Sequence, residues 1–184
     1  MSPRASRGPP ADHDRVTDTE RSGEIGLLTD GGRPREGRRL AKTPDGRRLE
    51  LWREIDAPAE TVWSLFTDTD YWADWGPTIS AVELDTLGGD TADSEAADST
   101  RIGQGTTGRV RVAGVWVPFS ITTCTDCRWT WSVARIPATG HRVESLGPTR
   151  CRAVFELSPL AAGYAPVCRT ALRRLDRLAR ESTG

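Results

Sequence analysis

The side chains able to do acid–base, metal or redox chemistry are few and widely spaced. The chain of 184 residues holds two histidines and four cysteines. His141 is the only histidine beyond the first 47 residues. An imidazole in a pocket could act as a general base or hold a ligand carbonyl; the alternative is an interior histidine satisfied by its neighbours. Cys124-Thr-Asp-Cys127 has zinc-knuckle spacing, but a tetrahedral site needs two more ligands. Only Cys151, Cys168 and His141 remain as candidates, and alternation points Cys124 outward and Cys151 inward. A cysteine-bearing hairpin turn is the better reading, and no metal site is expected. Gly103-Gln-Gly105-Thr-Thr-Gly108 matches the dinucleotide fingerprint, which needs a following helix N-terminus for the pyrophosphate. Arg109-Val-Arg-Val112 follows instead and alternates as a strand, so the glycines read as a strand entry and no cofactor is expected. No nucleophile–base–acid constellation is visible, which argues against an ordinary hydrolase.

The elements that position these residues follow from periodicity. Residues 49–55 read as a strand with Leu49, Leu51 and Ile55 on one face. Pro58 and Glu60 suit the first turn of a helix carrying Val62, Trp63, Leu65 and Phe66. Tyr71, Trp72 and Trp75 follow on a short second helix or turn, closed by Gly76-Pro77. From residue 106 to 157 the chain alternates in successive stretches separated by Gly, Pro or Asp. Val110 and Val112, then Val117, Phe119 and Ile121, then Trp129, Trp131 and Val133, then His141 and Val143, then Cys151, Ala153, Phe155 and Leu157 share one face. The opposite positions hold Arg109, Arg111, Thr122, Arg128, Thr130, Glu144, Arg152 and Glu156, with Trp116 out of pattern among them. One covered and one wet face is the mark of an antiparallel sheet. Residues 164–180 turn helical, with Cys168, Ala171, Leu172, Leu175 and Leu178 as the apolar stripe and Arg169, Arg173, Arg177 and Arg180 opposite.

Composition removes several function classes. The formal net charge of -1 gives no field towards nucleic acid, and the arginines of the last helix lack interleaved aromatics, so they read as a solvated face. No apolar run of about 18 residues exists, so no stable membrane insertion is expected. The N-terminus lacks an apolar signal region, and a cytoplasmic location with reduced thiols is the expectation. Residues 1–47 are polar and nearly empty of large apolar side chains, and read as a disordered tail ahead of a domain over 48–181. Residues 87–100 read as a mobile acidic loop with Asp90, Asp93, Glu95 and Asp98.

IDAPAETVWSLFTD followed by YWADWGP resembles the opening of the SRPBCC or START-like superfamily, in its polyketide cyclase/dehydrase-like branch. The Gly-rich strand entry, the Trp-bearing strand and the closing Leu/Arg helix are similar too, over about residues 49–180. The resemblance implies an α+β helix-grip fold: a curved antiparallel sheet wrapped around a long C-terminal helix, with two short helices after the first strand. About six or seven strands are expected. It also implies a deep apolar cavity. The candidates for its wall are Trp75, Val117, Phe119, Trp129, Trp131, Arg135, His141, Phe155, Tyr164, Cys168 and Leu172, with Arg135 and Tyr164 at the mouth and His141 as the one catalytic candidate. Trp63, Trp75, Trp129 and Trp131 can converge between sheet and helix, either lining the cavity or filling it. Binding of an apolar small molecule (a lipid, a polyketide or similar) is the leading expectation. A cyclase or dehydratase using the same cavity is the alternative, and a protein-interaction module built on the sheet edge or Trp116 is the third. Oligomeric state is left open.

Overall fold

The computed structural model describes residues 25–30, 33–85 and 100–183. Among them are nine strands: β1 (Ile25–Asp30), β2 (Arg33–Thr43), β3 (Gly46–Ile55), β4 (Ile79–Leu84), β5 (Thr107–Val112), β6 (Val115–Thr125), β7 (Arg128–Val133), β8 (Ile136–Gly147) and β9 (Arg150–Leu157). They form one antiparallel sheet in the order β1-β2-β3-β9-β8-β7-β6-β5-β4. Between β3 and β4 come α1 (Ala59–Thr67), a single 3₁₀ turn (Thr69–Tyr71) and α2 (Trp72–Trp75). A second 3₁₀ segment (Pro159–Tyr164) leads into α3 (Ala165–Glu181). This is the helix-grip architecture: α3 packs on β3, β9, α1 and α2.

The local causes are legible. Pro58 flanks the first turn of α1, Glu60 lies at its positive end, and Val62, Leu65 and Phe66 point into the core. In α3 Pro166 occupies the first turn, where its missing N–H is no loss, and Cys168, Ala171, Leu172, Leu175 and Ala179 form the buried stripe. Leu51, Ile55, Phe66, Trp72, Trp129 and Leu175 sit at the centre of the core.

Three expectations need correction. The tail does not run to Arg47, because β2 pairs with β3 in unbroken register from Glu36↔Arg53 to Thr43↔Gly46. The half-buried side chain of Arg53 supports this register, reaching Glu36 at 2.6 Å on β2 and Asp176 at 2.9 Å on α3. Hydrophobic content misses such a strand because its pairing is ionic. With β1 paired to β2, these two strands raise the count to nine. Residues 1–24, and the acidic loop 87–100 up to residue 99, lie outside the described residues. Second, a bulge between Ile121 and Thr123 reverses the facing of β6, so Cys124 lies opposite Trp129 and packs against the core instead of pointing outward. Third, β8 begins at Ile136, five residues before the expected start at His141.

On the wet face Glu50 and Glu156 are nearly fully buried, yet each has two arginines. Arg39 and Arg142 hold Glu50 at 2.7 and 2.8 Å, and Arg128 and Arg142 hold Glu156 at 2.7 and 3.4 Å. Removing water from these carboxylates is costly without such partners. Trp116 is covered by the Arg109 guanidinium, 4.9 Å from its ring centre.

Candidate functional site

The concave side of the sheet does not close completely on α3. A cavity of about 290 Å³ remains. Its sheet wall is built by Val110 and Val112 of β5, Trp131 and Val133 of β7, Thr139 and His141 of β8, and Phe155 and Leu157 of β9. Trp75, Gly76, Pro77, Thr78 and Ile79 close one side, and Ala161, Tyr164, Val167, Cys168 and Ala171 form the roof. None of these side chains carries a fixed charge. At the mouth the Tyr164 and Thr78 hydroxyls bond to each other at 2.9 Å, which ties the start of α3 to the loop before β4. Burial raises the Tyr164 pKa, and pushes the Cys168 thiol up to about 12, so the wall presents a neutral thiol.

The aromatic residues divide into fillers and liners. Trp72 is buried and stacks on Trp129 with ring centres 5.3 Å apart and planes within 4°. Its indole N–H donates to the Phe66 carbonyl at 3.0 Å, as that of Trp75 does to Leu65 at 2.9 Å. Trp72 and Trp129 thus fill the space beneath the cavity, while Trp75 and Trp131 form its surface.

His141 lies at the junction of the two groups. It is 1% exposed, stacks on Trp129 at 3.9 Å, and meets the edges of Phe66 and Phe155 at 5.5 and 4.6 Å. Burial in this aromatic box lowers its pKa to about 3, so the imidazole is neutral near pH 7. Its Nε2 lies 3.3 Å from the Thr139 hydroxyl, which also accepts the Trp131 indole N–H at 3.2 Å. Its Nδ1 is buried with no partner among the described residues. Thr139 lies two residues before His141 in β8 and shares its face by strand alternation; the β7–β8 register shifts beside it, where β8 takes three steps from Gly140 to Pro137 while β7 takes two from Thr130 to Ser132.

A family model described as polyketide cyclase / dehydrase and lipid transport matches residues 47–181. The chain belongs to this family. No curated protein matches it. Among solved structures it is similar to the Zhui aromatase/cyclase of Streptomyces sp. R1128, with 17% identity, a TM-score of 0.54, and coverage of 75% of this chain and 96% of that one. It is also similar to a START superfamily protein of Mycobacterium smegmatis, with 15% identity, a TM-score of 0.50, and coverage of 73% and 97%. A third likeness is to a Helicobacter pylori protein described as hypothetical, with 12% identity, a TM-score of 0.53, and coverage of 71% and 86%. At these identities the likeness is one of fold.

Within this family fold, the structure brings Trp75, Trp131, His141, Phe155, Tyr164 and Cys168 to one cavity wall. It places the other sequence candidates elsewhere. Trp129 and Phe119 are buried in the packing around Trp72. Val117 pairs with Val110 in the sheet and does not reach the cavity. Leu172 faces Leu51 and Glu36 on the other side of α3. Arg135 is exposed because Ala134 and Arg135 form the β7–β8 turn, with φ of 50° and 65°, which takes Arg135 out of the strand alternation. Thr139 is a polar wall residue that the sequence reading misses: it shares the parity of His141, but Pro137-Ala-Thr-Gly140 reads as a turn and falls outside the expected strand. Cys124 and Cys127 are free thiols, and no group of three or more His, Cys, Asp or Glu side chains able to hold a metal occurs among the described residues. The glycine motif enters β5 with no helix after it, and a Cβ at Gly108 would overlap the Glu83 carbonyl, so close strand packing explains that glycine. No helix among the described residues is long and apolar enough to cross a membrane.

Proposed function

We propose that this protein binds an uncharged, mainly apolar small molecule in the cavity beneath α3, and that holding the molecule is its task. The observation that carries this reading is the cavity itself. A space of about 290 Å³ persists among side chains that elsewhere pack closely, and its wall has no fixed charge. Pockets for drug-sized ligands span roughly 300–1,000 Å³, so the occupant is compact, of the size of two or three rings or a medium-length chain.

The cyclase or dehydratase reading needs a group that moves a proton. His141 is the one titratable imidazole on the wall, and a base is most effective with a pKa near the working pH. Held at about 3, it is neutral but a weak base. That favours a hydrogen-bonding role over proton transfer.

Native mass spectrometry of the protein purified from its own host tests the proposal. The expected result is a retained neutral small molecule that is absent from an Ala171→Phe variant with a filled cavity. A protein that retains nothing, and that binds no uncharged two-ring probe at millimolar concentration, would refute it.

A further inference from the structure

We infer that the end of the sheet beside the cavity mouth docks on an anionic lipid surface, through apolar side chains on its turns and the cations around them. The docking stands apart from the binding reading above; that the occupant passes between bilayer and cavity rests on that reading.

The three most exposed large apolar side chains among the described residues are Leu160, Ile136 and Val115, at 99%, 68% and 63%. Single exposed apolar residues are ordinary, but a cluster beside a cavity is not. Val115 follows the β5–β6 turn, Ile136 follows the β7–β8 turn, and Leu160 lies in the 3₁₀ segment after β9. Strand pairing gathers them. From β2 to β4 every neighbouring pair in the sheet is antiparallel. The β5–β6, β7–β8 and β2–β3 turns, the exit of β9 and the entry to β4 therefore share one end. The tips also continue the cavity wall outward. Val115 pairs with Val112, Ile136 pairs with Val133, and Leu160 precedes Ala161, and all three partners line the cavity. Directly paired residues face the same side of a sheet, so Val115 and Ile136 extend its inward face past the cavity.

Charge selects the partner. Lys42, Arg47, Arg111 and Arg135 are exposed on or beside these turns. The one carboxylate on them, Asp45, is bonded to Arg128. At the opposite end Asp56, Asp85 and Asp126 are exposed, beside Arg150. The chain is nearly neutral as a whole, yet an anionic surface attracts the mouth end first. A second copy meeting this end would bring like charges together. A protein partner needs a continuous complementary patch of roughly 800 Å², whereas these tips project separately from three elements. Lipid adapts to separate tips, and apolar insertion combined with basic residues gives reversible attachment. Docked this way, the mouth meets the bilayer, and an apolar molecule exchanges without crossing water.

The test is co-sedimentation of the full chain with vesicles of phosphatidylcholine alone or with about 30% phosphatidylglycerol, which supplies the negative surface. Partition onto the anionic vesicles should be about tenfold higher or more, and should fall to the neutral level at about 0.5 M salt. The double variant Ile136→Ser, Leu160→Ser keeps the net charge and should lower anionic partition by about tenfold or more. It should still bind 2-naphthol, an uncharged two-ring probe, within about 2-fold of wild type in calorimetry. Leu146→Ser, at an exposed leucine near the opposite end, should leave partition unchanged. No partition onto anionic vesicles, or equal partition of the double variant and wild type, would overturn the docking; 2-naphthol binding would then show that the cavity reading stands. A dimer in sedimentation equilibrium that the double variant abolishes would assign the tips to a second copy and overturn the docking as well. Tip-dependent vesicle binding by a protein that takes up no 2-naphthol would refute the cavity reading and leave the docking in place.

Discussion

Replacing His141 with Phe should change how stability depends on pH, and by an amount the structure sets. The imidazole ordinarily titrates at 6.5 and is held at about 3 in the folded protein. Above 6.5 both folded and unfolded chains keep it neutral, and it contributes no pH dependence. Between 6.5 and about 3 the unfolded chain takes up a proton that the folded protein refuses, so stability falls as the pH falls. Below about 3 both states are charged and the loss is complete. From about pH 7.5 to about pH 5.0 this single group should remove about 2 kcal/mol. With a urea slope of roughly 1–3 kcal/mol per molar, the unfolding midpoint should drop by about 1 M over that interval. Other groups titrate too, so the quantity to read is the difference between wild type and His141→Phe. The variant should lose about 2 kcal/mol less over that range. At neutral pH its stability should stay within about 1 kcal/mol of wild type, because the substitution loses the Nε2–Thr139 bond, removes an Nδ1 with no partner among the described residues, and keeps the stack on Trp129. Urea unfolding followed by far-ultraviolet circular dichroism at the two pH values provides the comparison. Parallel pH slopes for the two proteins would refute the reasoning, since the imidazole would then be free to charge in the folded state.

Ala171→Phe places a ring in the cavity roof; it should weaken 2-naphthol binding by about tenfold or more in calorimetry while costing at most about 1–3 kcal/mol of stability. Tyr164→Phe removes the hydroxyl bond to Thr78 across the mouth; stopped-flow fluorescence should show faster probe release, with stability changed by no more than about 1 kcal/mol. Arg53→Met leaves Glu36 with Arg173 at 3.7 Å and Asp176 with Arg180 at 2.8 Å but removes the cation they share; it should cost about 1–2 kcal/mol in urea unfolding and increase hydrogen exchange in β2, and an unchanged β2 would mean that the ion pairs do not hold that strand.

The parts of the fold legible in the sequence are those whose signal is periodic and apolar. The α3 stripe and the inward residues of β5, β7 and β9 lie where alternation puts them, because each side of these elements meets one environment. The parts that escaped are those where that condition fails. β2 carries Arg38, Arg39, Lys42 and Glu36, and is held by Arg53 and by ladder pairing, neither of which leaves a hydrophobic trace. The bulge in β6 shifts side chains by one position, which reverses the facing of Cys124, whereas Thr139 escaped because its segment reads as a turn although it shares the parity of His141. The choice between lining and filling also lay beyond patterning. Trp72 and Trp129 stack because α2 seats one indole flat on the other, and that is a matter of helix placement rather than parity.

The environment of His141 ties these threads to function. An aromatic box makes an imidazole a weak base, because the charged form loses its hydration and gains no counter-charge. The same box makes each of its hydrogen bonds more selective, because no water competes at the buried nitrogen. A site built for proton transfer places a carboxylate behind the imidazole, which holds the ring and stabilises its charged form. Here the partner is the hydroxyl of Thr139, which is itself held by the Trp131 indole. A hydroxyl orients the ring without raising its basicity. The arrangement therefore fits a neutral imidazole held by Thr139 in the cavity wall better than one that takes a ligand's proton.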